Sequence, residues 1–266
     1  MEFTQFTRQE PQSRMESPVL STMVVLYKTN LTFDTTALLH ALPLNDEIIK
    51  IEKRGVLKRG GSKKDTIKRR SKKESTTHTS TGFCHNSITL VMMNNGDGSL
   101  PMKEITIKIF QNGVFHMTGV LDELYDRFAL QKLLNIIWND CRMTIKEVPD
   151  MYEILNRRVV LMNYTSKIST HGTVARELLH NAIRRLGEEF DSHYDPDVYP
   201  GVKIQVSGKK WTAKIFRTGK LILTGITSHE EMEQFMSLLL SLFEKVLPKT
   251  QKLNNMSNTA VLPSGH

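Results

Sequence analysis

One fifteen-residue block occurs twice in this chain. ITIKIFQNGVFHMTG at residues 105–119 aligns without a gap on WTAKIFRTGKLILTG at residues 211–225, and seven of the fifteen positions are identical. Each copy alternates apolar and polar residues, turns at Gly113 or Gly219, alternates again and ends in Thr-Gly. That is the pattern of strand, turn, strand. A strand and a helix pattern precede each copy, and an amphipathic helix follows it. The self-similarity implies an internal duplication, and two copies are too few for a solenoid. The expected fold is therefore α+β. Two strand-rich units share a curved antiparallel sheet of about ten strands, and four main helices cover its convex face.

Residue patterns place the other elements. A strand is predicted over 22–29. A helix follows over 34–42, capped by Asp34, with Ala37, Leu38, Ala41 and Leu42 inward. Strands are predicted over 85–93, 104–110 and 114–118, then a helix over 122–138 with Leu124, Phe128, Leu130, Leu134 and Ile137 on its inner face. The second cycle reads as a strand over 159–164, a helix over 173–190, strands over 202–206, 211–216 and 220–224, and a helix over 228–246 that Pro248 ends. The implied organisation is a disordered start at 1–17, a first repeat at 18–140 and a second at 155–247, with a disordered tail at 248–266. A mobile, Gly/Lys/Arg/Ser-rich insertion at about 53–80 interrupts the first repeat.

Charge is concentrated rather than spread. Residues 50–74 hold 12 Lys and Arg against 3 acids, whereas the rest of the chain holds 24 against 25. A nearly neutral body carrying one basic cluster fits attraction to phosphate through a flexible arm, a nuclear-import signal, or a solvated loop. No uninterrupted apolar run reaches about 18 residues, so no membrane span is expected. Two cysteines, Cys84 and Cys141, make no disulfide framework and point to a reducing setting. The polar, acid-bearing N-terminus resembles neither a signal nor a transit peptide.

Catalytic and ligand motifs fall short. Cys84, His85 and His78 lack the spacing of a metal site. The Gly208-Lys209-Lys210 run lacks the remainder of a phosphate loop, and Gly96 and Gly98 lack the third glycine of a dinucleotide fingerprint. Neither metal nor cofactor is expected, and no catalysis.

The duplicated motif, I-F-x-x-G-K-x-x-x-T-G in its second copy, resembles the signature of each TATA-box-binding protein repeat. SHYDPDVYPGVKIQV at 192–206 is similar to the acidic, aromatic and Pro-Gly stretch that precedes the same strand pair in that family. The resemblance covers about 22–50 and 81–246, is stronger in the second repeat, and in its drift and basic insertion looks most like the TATA-binding-protein-like proteins of large DNA viruses. It implies a saddle that binds A/T-rich promoter DNA as a monomer through the minor groove, bends it, and recruits a TFIIB-like factor and RNA polymerase machinery. The setting would be the nucleus, or a cytoplasmic viral factory or virion.

Carried over position by position, the resemblance implies aromatic wedges at Phe110 and Phe216, each with a partner. Tyr199 is the partner of Phe216, 17 residues upstream. Phe83 is the candidate partner of Phe110, 27 residues upstream. Thr118 and Thr224 match the threonines at the groove centre, Asn163 the central asparagine, and Lys220 a phosphate contact. Asp195 and Asp197 match the acidic segment that faces the TFIIB-like partner. Departures are concentrated in repeat one, which has Val24 near the asparagine position, Val114 for the turn lysine and His116 for a valine. In both repeats a lysine, Lys108 or Lys214, replaces a leucine two residues before the wedge and is assigned to phosphate or groove-edge contact. Two alternatives remain at this point. One is a scaffold of the same fold that binds transcription proteins with little DNA. The other is an enzyme on a duplicated sheet, which would need clustered carboxylates.

Overall fold

The computed structural model describes residues 15–66, 86–168, 173–187 and 189–259. The chain forms two compact units, one of residues 22–161 and one of residues 162–266 together with residues 1–21. They are called here the first and second unit.

The first unit opens with β1 (Val19–Thr29), which carries in from the preceding residues, and α1 (Thr35–Ala41). The hairpin β2 (Ile48–Lys53) and β3 (Leu57–Gly60) follows, with a single helical turn α2 (Lys63–Thr66). Then come β4 (Ser87–Asn94), β5 (Lys103–Phe110), β6 (Val114–Val120) and α3 (Glu123–Asp140). The strands lie in the order β3-β2-β4-β5-β6-β1, each pair antiparallel. Alternation decides the two faces. Val25 and Tyr27, Leu90 and Met92, Ile105, Ile107 and Ile109, and Phe115 and Met117 are all buried on one face. α3 packs on β4, β5 and β6, and α1 on β2 and β4, supplying buried Leu38, Leu39, Leu130, Leu133, Leu134 and Ile137. Each such side chain contributes about 1.5–3 kcal/mol by leaving water.

Asp34 caps α1 by accepting from the backbone N–H of Thr36 (2.9 Å) and Ala37 (3.0 Å), and those two donors hold its carboxyl below the usual range. Two inner faces differ from expectation. In α1, Leu39 is buried and Ala37 exposed, since burying the larger chain removes more apolar area from water. In α3, Tyr125, Ala129 and Leu133 point inward rather than Leu124 and Phe128. Buried Asp126 fixes that rotation: it accepts from Tyr27 Oη (2.6 Å) and Arg157 Nε (2.8 Å). Burial and Asp126 together raise the Tyr27 phenol far above its ordinary value, so it stays a donor.

The second unit contains residues 162–167 of β7 (Ile154–Lys167), then α4 (Arg176–Arg184), β8 (Phe190–His193), β9 (Val202–Val206), β10 (Thr212–Ile215), β11 (Lys220–Ile226) and α5 (His229–Thr259). Its strand order is β7-β11-β10-β9-β8, antiparallel throughout. Buried Leu179 and Ile183 of α4 and Phe235, Leu239 and Phe243 of α5 belong to its core.

Three sequence expectations are corrected. The helix foreseen over 173–190 is nine residues, because Phe190 is buried as the first residue of strand β8. Pro248 does not end the last helix, which continues to Thr259. Proline removes one backbone donor, a local loss that a long helix absorbs. The insertion foreseen at 53–80 begins as ordered structure, β3 and α2. Residues 67–80 lie outside the described residues.

Candidate nucleic-acid interface

Each unit has one sheet face turned away from its helices. In the second unit this open face carries Asn163, Thr165 and Lys167 of β7, Lys220, Ile222 and Thr224 of β11, Lys214 of β10, and Lys203 and Gln205 of β9. In the first unit it carries Val24, Leu26 and Lys28 of β1, Val114, His116 and Thr118 of β6, Thr106, Lys108 and Phe110 of β5, and Thr89 and Val91 of β4. Of the wedge, threonine, asparagine and lysine positions expected from sequence, every one but Phe83 is described, and each falls on an open face or at its end.

The Tyr199–Phe216 pair is assembled. The two rings stand 5.9 Å apart at 60°, and the Lys214 ammonium lies 5.3 Å from the Tyr199 ring centroid. Gly201 makes the room. A Cβ there would sit 2.9 Å from the Tyr199 ring and 3.4 Å from that of Phe216. Both rings are half-buried, which leaves part of each ring accessible. Asp195 shapes the loop. Its carboxylate accepts from the backbone N–H of Asp197 (3.1 Å) and Val198 (3.4 Å), and its carbonyl accepts from Tyr199 N (2.9 Å). Asp195 is thus a structural residue of the loop, whereas Asp197 is exposed beside Val198, which is 80% exposed.

Two features of the second unit were not legible without strand register. Lys214 pairs directly with Lys203, and Lys220 directly with Lys167. Like charges directly opposite on one face repel. Asn163 sits at the irregularity of the β7–β11 ladder, opposite Thr224 and Gly225. Its Oδ1 is buried and has no hydrogen-bond partner. An unpaired buried amide oxygen costs about 1–3 kcal/mol.

Gly225 explains why Thr-Gly is duplicated. It has a φ of +83°, and a Cβ on it would lie 1.9 Å from the Lys210 carbonyl oxygen. Glycine alone fits there without strain. Among the described residues no three His, Cys, Asp or Glu side chains converge to hold a metal, and no helix is long and apolar enough to cross a membrane.

The family model described as transcription factor TFIID, or TATA-binding protein, matches residues 160–246. A TATA-box-binding protein of Dictyostelium discoideum is 30% identical over 149 residues, which are 55% of this chain and 65% of that relative. One from Methanocaldococcus jannaschii is 22% identical over 147 residues, covering 55% of this chain and 72% of the relative. Over these stretches the chain is similar to TATA-binding proteins. It spans just under two thirds of the Dictyostelium protein. The solved Methanococcus jannaschii TATA-binding protein superposes with a TM-score of 0.51 at 18% identity, over 86% of this chain and 99% of the other, which establishes the shared fold.

Within this TATA-binding-protein fold the two repeats can be matched by register. Lys203 opposite Lys214 corresponds to Thr89 opposite Lys108. Counting back from those strands, the Tyr199 position corresponds to His85, two residues past Phe83. The β4–β5 loop is longer by 8 residues, so the 17-residue spacing of Tyr199 and Phe216 becomes 25 before Phe110, against 27 for Phe83. Paired Val91 and Thr106 are 15 residues apart, against 7 for Gln205 and Thr212. Phe83 and His85 both lie outside the described residues.

Proposed function

We propose that this chain is a transcription-initiation factor of the TATA-binding kind, which binds double-stranded A/T-rich DNA through the minor groove, bends it and presents it to a transcription partner. The observation that carries this reading is the two cross-strand lysine pairs, Lys203–Lys214 and Lys167–Lys220, on the open face that bears the Tyr199–Phe216 rings. Two directly opposed lysine pairs disfavour the free fold. A phosphate backbone turns both from repulsion into attraction and releases condensed counterions. The ring pair then has a role as a wedge between base steps. Unstacking a step costs about a few kcal/mol and exposes groove surface to an apolar face. TA steps unstack most easily, which favours A/T-rich sites. Asn163, on the open face, has a side-chain N–H of the kind that adenine N3 and thymine O2 accept in an A·T minor groove.

Exposed Asp197 and Val198 support a docking site for a TFIIB-like factor, since a carboxylate there repels phosphate. The role needs no catalysis, cofactor or metal. The deciding experiment is end-to-end energy transfer on a doubly labelled A/T-rich duplex. Wild-type protein shortens the end-to-end distance, and Phe216→Ala binds without shortening it while its thermal midpoint stays within a few degrees. A Phe216→Ala protein that bends normally but melts early would make the ring core and remove the proposal. Binding of a TFIIB-like factor without measurable duplex affinity would favour a protein scaffold instead.

A further inference from the structure

The chain leaves β3 in an unusual direction. Gly60 has a φ of +70°, and a Cβ there would meet the Ile49 carbonyl oxygen at 2.1 Å. The Gly61 N–H donates to that same carbonyl (3.1 Å). This tight reversal sends residues 61–66 back over the open face of the first unit. Lys63 N–H donates to both carboxylate oxygens of Glu104 on β5 (3.0 and 3.2 Å). Lys64 Nζ donates to Thr106 Oγ1 (3.1 Å). Asp65 closes the strap. Its carboxylate accepts from Lys50 of β2 (3.0 Å), from Lys58 of β3 (3.2 Å), and from the N–H (2.8 Å) and Oγ (3.1 Å) of Ser62. Lys50 also meets Glu52 at 2.8 Å.

The consequence shows on β4. Val91 occupies an open-face position between Lys50 and Thr106, yet it is only 3% exposed. The strap therefore lies over the sheet surface that, in the proposed function, faces DNA. The contacts that hold it are polar and ionic, and both lysines bound to Asp65 are ammonium groups that a phosphate could take from the carboxylate.

We propose that residues 61–66 are a displaceable latch over the open face of the first unit, held by Asp65 between Lys50 and Lys58, and that duplex DNA opens it by exchanging backbone phosphate for the Asp65 carboxylate. The proposal rests on the DNA-binding reading above. A carboxylate and a phosphate compete for the same two ammonium groups, so the free protein masks charge that the complex uses. Release also moves Lys63 and Lys64 off the sheet. The lysine pair Lys203–Lys214 of the second unit carries no such cover in sequence. There β8 passes to β9 through residues 194–201, the Tyr199 loop.

The test combines peptide-level hydrogen exchange with duplex binding by anisotropy, on the full chain. In the free protein, the peptide spanning 60–66 is protected, and Asp65→Asn speeds its exchange at least about tenfold while β4 and β5 exchange as before. At saturating A/T-rich duplex the wild-type peptide loses the same protection. Asp65→Asn binds the duplex about fivefold tighter than wild type, and Asp150→Asn, which removes one exposed acid elsewhere on the unit, gains clearly less. Measured binding with 60–66 still protected overturns the latch and leaves the DNA reading intact. Equal gains for Asp65→Asn and Asp150→Asn also overturn it, since bulk charge would then suffice. No duplex binding by any of the three proteins overturns the DNA reading itself.

Discussion

The two units share a ladder and differ in what stands on it. Both carry a strand-end phenylalanine, a Thr-Gly at a left-handed glycine and a lysine two residues before the ring. In the second unit that lysine faces Lys203 and shields a ring pair, Tyr199–Phe216. In the first it faces Thr89, and Lys28 faces Val114 where the second unit pairs Lys167 with Lys220. The first unit thus has two lysines at these positions against four, neither opposed by another lysine, and part of its open face lies under the chain's own strap. Duplication fixed the scaffold, while divergence redistributed charge and cover, so one unit presents its surface openly and part of the other's is covered.

The largest expected effect separates the two wedges. Phe216→Ala should cost about 1–3 kcal/mol of duplex binding, the range for a base–aromatic stack, and abolish bending. Phe110→Ala should leave most of the bend. Equal losses, measured on the same labelled duplex, would break the asymmetry.

Next in size are the lysine pairs. The double variant Lys203→Gln with Lys214→Gln should flatten the salt dependence of log affinity by about 1.8, or 0.9 for each phosphate contact. The same variant should melt no earlier than wild type without DNA, because it removes a repulsion. Lys28→Gln should change the salt slope by no more than one contact. A marked loss of stability in the double variant would show that the pair is structural.

A smaller effect distinguishes the two acids of the Tyr199 loop. Asp197→Lys should weaken binding of a TFIIB-like factor and leave duplex affinity equal or higher. Asp195→Lys should also impair bending, because the Asp195 carboxylate holds the Asp197 and Val198 N–H groups that position Tyr199. Identical behaviour of the two variants would sink this division of labour.

The smallest effect is in pH. Burial, and then Lys108, hold the His116 imidazole below its ordinary range, whereas the equivalent position in the second unit is Ile222. The unfolded chain therefore takes up a proton first as pH falls from about 6.5. Folding stability contributed at His116 is complete above that value and declines below it. Thermal melts from pH 7.5 to 5.5 should show a shallower decline for His116→Gln. Parallel curves would mean His116 titrates alike in both states.

Residue patterns alone located most strands and long helices, because apolar alternation follows from which face meets water. They also identified the repeat and the wedge candidates Phe110, Phe216 and Tyr199, since identity and spacing survive in a one-dimensional record. They placed the α4 boundary badly, because Leu186 and Phe190 keep a helical spacing although Phe190 belongs to a strand. A run of glycines and lysines at 53–66 looked shapeless, for its order comes from partners distant in sequence, Ile49, Glu104 and Thr106. Cross-strand register is the deeper limit. Which lysine opposes which depends on loop lengths and ladder irregularities that only pairing in space resolves. Sequence determined the kind of fold and the candidate residues of the open sheet faces. Tertiary structure decided which of them repel one another, which stand ready and which are covered, because electrostatic and packing energies depend on distances that the chain order does not contain.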